Sequence, residues 1–180
     1  MTPIHGEAMS AAAQAATEQD QDQRRSRFLT FVLGQEVYGL DIGFVREIIG
    51  LQEITEIPSA PAWIQGVINL RGKVIPIMDV RARFGMPRRA YDNRTCIIVI
   101  KVADWWVGLV VDRVSDVQDI PTTQIEPPPR VVTSNGSALF IEGLGKAGEQ
   151  VLLLLDARRI VGHESPEHCS KSSETDNDQG

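Results

Sequence analysis

The sequence predicts an all-β protein made of two small, related β barrels with a few short helices. Two observations predict this fold. The central part of the chain contains four pairs of short apolar segments, each pair joined by a short turn, which is the pattern of β hairpins. The two halves of that part also align with each other. Many short strands with regular turns tend to close into barrels, because closure removes exposed sheet edges.

The four predicted hairpins follow one another along the chain. They join Phe28–Leu33 to Glu36–Leu40, Gly66–Leu70 to Lys73–Met78, Thr95–Val102 to Trp106–Asp112, and Leu139–Lys146 to Gln150–Asp156. Pro76 has no N–H to donate, so its strand is expected at a sheet edge or bulged at that point. Short helical segments are expected between the hairpins, at Phe44–Ile49, Pro61–Gln65, Val80–Phe84 and Ala157–Val161.

The two halves are related by an internal repeat. Shifting residues 28–48 by 69 positions lays them on residues 97–117 without a gap, and apolar positions meet apolar positions. Only three positions are identical, which is weak by itself. The order of strands and turns nevertheless continues in parallel, up to Asp79 in one half and Asp156 in the other. Two similar barrels packed side by side are predicted, with a groove between them.

Composition and charge separate a folded body from two tails. Of the net charge of −6, residues 163–180 contribute −4 and residues 1–27 contribute −1, while residues 28–162 hold 14 basic and 15 acidic groups. Such a body lacks the clustered positive charge that nucleic-acid binding requires. Both ends have few large apolar side chains, so we predict a disordered N-terminal tail, a folded domain over 28–162 and a disordered acidic C-terminal tail.

The location predicted for the protein is the cytoplasm. Two cysteines, one in an apolar run and one in the acidic tail, do not form a disulfide framework. The first sixteen residues lack the basic and apolar regions of a signal peptide. No apolar stretch approaches the ~18 residues of a membrane-spanning helix, so no direct membrane insertion is expected.

Few residues in the predicted body could support catalysis or bind a metal. The three histidines all fall in the predicted tails: His5, His163 and His168. The spacing of the last two with Cys169 matches no zinc site, and we predict no metal and no cofactor. Asp79 and Asp156 are the best candidates for a carboxylate pair, which would make the protein a small hydrolase. We favour instead that each caps the short helix that follows it, since the repeat explains their equivalence.

Three segments resemble the CheW-like coupling proteins of bacterial chemotaxis: Tyr38–Ile48, Pro61–Val80 and Val107–Val117. The Gly-Val-Ile-Asn-Leu-Arg-Gly run that starts at Gly66 is the most specific of these matches. The resemblance implies two SH3-like, five-stranded barrels without an active site. It also implies two partners, the cytoplasmic tip of a methyl-accepting chemoreceptor and the regulatory domain of the histidine kinase CheA. An adaptor of a pilus-motility or other chemosensory pathway, or a detached regulatory domain of such a kinase, are the alternatives.

The resemblance also implies which residues bind the receptor. The family's important acidic residue and turn arginine match Glu47 and Arg71, and a receptor-contacting apolar position matches Val45. Arg71 is expected to pair with Glu47 at the lip of the groove, and Ile48 to share one helical turn with Val45. The full predicted receptor groove is Val45, Glu47, Ile48, Gly66, Arg71, Val114 and Val117. The alternative is that the apolar members are plain core and Arg71 is a solvated turn residue.

Overall fold

The computed structural model describes residues 25–129 and 136–162, and β strands dominate both ranges. The predicted tails lie almost entirely outside these ranges, as do all three histidines. The elements in chain order are β1 (Arg25–Leu33), β2 (Glu36–Asp41), β3 (Val45–Gly50), β4 (Ile64–Leu70), β5 (Lys73–Asp79), α1 (Val80–Arg83), β6 (Cys96–Val102), β7 (Trp105–Val111), β8 (Arg113–Pro121), a 3₁₀ helix (Thr122–Gln124), β9 (Ile125–Glu126), a second 3₁₀ helix (Gly136–Phe140), β10 (Ile141–Ala147), β11 (Gln150–Leu155) and α2 (Ala157–Val161).

The strands form two sheets that repeat the same topology. The six-stranded sheet has the order β8-β1-β2-β11-β10-β9, and the five-stranded sheet has the order β3-β6-β7-β5-β4. The first half supplies β1 to β5, and the second half supplies their equivalents β6, β7, β8, β10 and β11. The third strand of each half pairs with the other half, since β3 pairs with β6 and β8 pairs with β1. The predicted pair of related β units is confirmed, and its halves are interleaved.

Neither sheet closes into the complete ring that was predicted. The pairing order leaves β3 and β4 as edges of the five-stranded sheet, and β8 and β9 as edges of the six-stranded sheet. We call the gap between the two edge strands of a sheet its seam. The seam between β3 and β4 is bridged at one point, where Thr55 and Val67 exchange two backbone hydrogen bonds of 2.9 Å. In the six-stranded sheet, the chain leaving β8 crosses through a 3₁₀ helix to β9, which pairs with β10. In each sheet, a segment that connects two edge strands therefore lies across the gap between them.

The apolar core has one part that both sheets share and one smaller part within each sheet. The shared cluster takes residues from both sheets and both helices, including Phe31, Leu40, Ile98 and Ile160. The other two clusters each draw mainly on one sheet. Strands between two clusters are buried on both faces, which explains why all of residues 97–100 in β6 are buried. The contact between the sheets is packed core, so a groove can lie only along its rim.

Two of the four predicted helices and the placement of Pro76 are wrong. Residues 44–49 form most of strand β3, whose β-branched side chains suit the sheet and whose backbone pairs with β6. Residues 61–65 form a turn and the first residues of β4. Pro76 lies in an interior strand, but it pairs with β4 and precedes the three residues of β5 that pair with β7. Its missing N–H therefore leaves no gap in the β5–β7 pairing. The other two helices, α1 and α2, are confirmed.

Candidate functional site

The predicted pairing of Arg71 with Glu47 is confirmed. Arg71 and Gly72 form the tight turn between β4 and β5, and both have positive φ, at 51° and 83°. The side-chain oxygen of Asn69 accepts a hydrogen bond of 2.8 Å from the N–H of Gly72 and holds this turn. The Arg71 guanidinium donates from Nη1 to Oε1 of Glu47 at 3.2 Å and from Nη2 to Oε2. This two-point contact fixes the plane of the guanidinium.

The ion pair joins the two edges of the five-stranded sheet. Glu47 lies on β3 and Arg71 follows β4, so the pair lies across the same seam as the Thr55–Val67 bridge. The Arg71 side chain is 68% exposed and that of Glu47 is 27% exposed. A pair this exposed contributes only about 0–1 kcal/mol to stability. Its geometry and exposure therefore suit recognition better than fold maintenance.

The apolar residues beside Glu47 do not lie on a helical face as the sequence suggested. In β3 the exposed and partly buried residues alternate, and a register shift falls between Val45 and Glu47. Val45 and Ile49 pack against the core clusters, whereas Ile48 is 45% exposed. Ile48 is thus the apolar side chain of this strand that is available at the surface, whereas Val45 packs against the shared core.

Gly66, the remaining predicted residue near this pair, is buried and has a structural explanation. Its φ is 144°, and a Cβ atom added there would lie 2.1 Å from the carbonyl oxygen of Thr55. A side chain at this position would therefore force apart the backbone bridge that closes the seam. Gly66 supports the surface that carries Arg71 and presents no side chain of its own.

Val114 and Val117 lie on β8, an edge of the other sheet. Val114 is partly buried against the shared core, and Val117 is exposed. The acidic residue on this strand, Asp116, occupies the position equivalent to Glu47 but has different partners. Its carboxylate accepts a hydrogen bond of 2.7 Å from the hydroxyl of Thr30, which accepts from the Asp116 N–H. The repeat thus conserves the strands but gives their acidic residues different contacts.

The capping interpretation of Asp79 and Asp156 is confirmed. Asp79 accepts a hydrogen bond of 3.2 Å from the N–H of Ala82 at the start of α1. Asp156 accepts from the N–H groups of Arg158 and Arg159 at the start of α2. The second carboxylate oxygen of Asp79 accepts a further bond of 2.9 Å from the hydroxyl of Tyr91. Burial, followed by this bond to Asp79, raises the pKa of Tyr91 above its usual range. Both carboxylates are committed to holding local structure.

A nearly buried ion pair between Arg81 and Asp112 was missed by the sequence reasoning. Arg81 donates from Nε and Nη2 to the two carboxylate oxygens of Asp112, each at 2.7 Å. The N–H of Gly34 and the guanidinium of Arg89 also donate to Asp112. Burial works against the charged carboxylate, but the hydrogen bonds and the nearby cations outweigh it and lower the pKa of Asp112. The pairing joins residues 31 positions apart, so no local pattern signals it.

Within residues 25–129 and 136–162, no group of three or more histidine, cysteine, aspartate or glutamate side chains is placed to hold a metal ion. In the same ranges, no helix has the length and apolar character to span a bilayer.

Comparisons with known proteins agree with the fold. Residues 27–165 match the family model described as CheW-like domain. A protein named chemotaxis protein CheW from Klebsiella aerogenes is 41% identical over 76% of this chain and 82% of its own length. Its namesake from Treponema pallidum is 33% identical over 74% of this chain and 81% of its own length. The crystal structure of the scaffolding protein TtCheW from Thermoanaerobacter tengcongensis superposes with a TM-score of 0.71 at 36% identity, covering 76% of this chain and 92% of that one.

Proposed function

This chain belongs to the family of CheW-like domains, and we propose that it is a non-enzymatic cytoplasmic adaptor that couples methyl-accepting chemoreceptors to the histidine kinase CheA. The observation that carries the proposal is the two-point ion pair between Arg71 and Glu47 across the seam of the five-stranded sheet. A guanidinium held at a defined angle suits the recognition of a polar side chain on an amphipathic helix. The family resemblance implies that the receptor tip is an amphipathic helical coiled coil.

The proposed receptor surface takes its residues from both sheets. Glu47, Ile48 and Arg71 belong to the five-stranded sheet, and Val117 belongs to β8 of the six-stranded sheet. Val45 and Val114 pack against the shared core beneath their strands. In this proposal a receptor helix lies along the rim of that core, with its polar side chains near the ion pair. The regulatory domain of CheA is the second proposed partner.

Exchanging Arg71 for glutamate is expected to reduce receptor binding at least about tenfold, because a repulsive pair replaces the attractive one at the proposed contact. The fold should persist, since the side chain is mostly exposed. The measurement is capture of a receptor cytoplasmic fragment and of CheA by the purified protein, followed by kinase activity in a reconstituted receptor array. Undiminished kinase activation by Arg71→Glu would contradict the proposal.

The matched control is Lys146→Glu. Lys146 forms an ion pair of 2.5 Å with Glu126, and both side chains are exposed, but this pair lies between β10 and β9. It should leave receptor capture unchanged. The double variant Glu47→Arg with Arg71→Glu then separates two roles. Recovery of binding would mean that the pair acts by holding the two sheet edges together, whichever residue carries the positive charge. No recovery would mean that Arg71 itself contacts a carboxylate of the partner.

A further inference from the structure

A second surface at the end of the five-stranded sheet combines exposed apolar side chains with lysines. Trp105 begins β7 and is 60% exposed, and Val74 in β5 is 65% exposed. Val74 and Trp105 line the same cleft, next to the start of the β5–β7 pairing. Lys73 and Lys101 flank them, and together with Pro76, Asp104 and Trp106 they line a cleft of about 390 Å³. We call Lys73, Val74, Lys101 and Trp105 the lysine–tryptophan patch.

The two tryptophans have different environments. Trp106 is partly buried against the core of the five-stranded sheet, and it pairs with Lys101 across the β6–β7 hairpin. The ammonium of Lys73 lies 3.9 Å from the centre of the Trp106 ring, a cation–π contact that holds this lysine against the surface. Trp106 thus forms the floor of the patch and positions one of its cations, whereas Trp105 presents its ring at the surface.

The fold itself does not require this patch. In the six-stranded sheet, the positions equivalent to Val74 and Trp105 are Val151 and Glu36, because Leu154 pairs with Gly39 as Ile77 pairs with Gly108. Val151 is also exposed, but its neighbour is a glutamate in place of a tryptophan. The same strand ends therefore exist without the aromatic ring. The tryptophan and the lysines are a property of this half of the molecule.

We propose that the lysine–tryptophan patch binds an acidic segment of a partner protein that carries an aliphatic or aromatic side chain between carboxylates. Exposed tryptophan beside an aliphatic side chain is the composition of an interface anchor. The cleft is lined by two lysines and one acidic residue, Asp104, so its net positive charge attracts carboxylates. The acidic segment 163–180 of this chain is a poorer fit, because residues 164–180 contain no large apolar side chain for Trp105 and Val74. The proposal does not rest on receptor coupling.

The test uses the full-length protein and a synthetic peptide, acetyl-Asp-Leu-Glu-Phe-Asp-amide, with detection by the ¹⁵N-resolved indole N–H resonances. The resonances of Trp105 and Trp106 should shift as the peptide is added, and that of Trp63, which is remote in sequence and contacts Arg83, should not. The variant with Lys73→Glu and Lys101→Glu should bind at least about fivefold more weakly, and Trp105→Ala should bind more weakly as well. Both changes are at the surface and should leave the protein folded.

Three controls decide the result. A basic peptide of the same length, acetyl-Lys-Leu-Lys-Phe-Lys-amide, should shift the two resonances much less, and equal binding would overturn the proposal. Val117→Ser, which changes an exposed residue of the other sheet without altering the charge, should retain peptide binding, and this separates the patch from the proposed receptor contact. A full-length variant in which the five acidic residues of 163–180 become amides should leave the free indole resonances in place. If they move, the chain's own acidic segment occupies the patch, and the partner proposal fails.

Discussion

Replacing Gly66 with alanine is expected to lower the free energy of unfolding by about 3 kcal/mol or more. Two independent causes act at this residue. Its φ of 144° is a backbone conformation that side-chain-bearing residues rarely adopt, and the added Cβ would lie 2.1 Å from the Thr55 carbonyl oxygen. The Thr55–Val67 bridge would have to open, which releases the seam that the Arg71–Glu47 pair spans. Urea unfolding followed by tryptophan fluorescence measures the loss.

Gly72→Ala is the matched control for that experiment. Gly72 also has a positive φ, at 83°, but no atom lies within 4 Å of the position that its Cβ would take. Only backbone strain then acts, and the expected loss is about 1 kcal/mol. If the two variants lose equal stability, the close approach of Thr55 is not the cause, and the structural account of Gly66 given above is wrong.

Replacing Arg81 with alanine is expected to cost about 3 kcal/mol of stability, because it leaves the Asp112 carboxylate nearly buried without its two strongest donors. The two side chains are only 12% and 11% exposed, and the contact is made through two bonds. The matched control is Arg27→Ala, which removes an exposed arginine–aspartate pair and should cost about 0–1 kcal/mol. Similar losses in both variants, measured by urea unfolding, would show that burial of the Arg81 pair has no energetic consequence.

The same ion pair makes stability depend on pH in a defined direction. The folded state lowers the pKa of Asp112, so this group stabilises the protein at pH values above the ordinary aspartate pKa of about 4. That contribution disappears as the pH falls through the lowered pKa. Unfolding curves of the wild type and of Asp112→Asn should therefore differ most at neutral pH and converge as the pH drops below 4. A constant difference across that range would contradict this role of the carboxylate.

Each hairpin was predictable because its strands and its turn lie within one short stretch of sequence. The repeat was predictable because the same order of strands and turns occurs twice. Gly72 together with Arg71 marks a tight turn between two apolar runs, and the same arrangement recurs in the other half. Asp79 and Asp156 were predictable as caps for the same reason, since a cap bonds to residues two or three positions later. The Arg71–Glu47 pair was predictable only through the family resemblance, because 24 residues separate its members.

The errors arose where distant parts of the chain decide the local structure. Val45, Ile48 and Ile49 have the spacing of a helical face, but pairing with β6 makes their segment a strand. Closed barrels followed from the idea that edges are avoided, whereas each sheet combines strands from both halves and keeps two edge strands. The Arg81–Asp112 pair and the approach of Thr55 to Gly66 depend on packing between separate hairpins, which sequence periodicity does not record.

The interleaving of the two halves has a consequence for how the molecule responds to a bound partner. Each half of the chain is incomplete alone, because a fragment ending before β6 would leave β3 without its neighbour and β1 without β8. A displacement of β3 must therefore act directly on the hairpin of β6 and β7, which belongs to the opposite half. A partner that binds the edge carrying Glu47 therefore contacts a sheet to which both halves of the chain contribute strands.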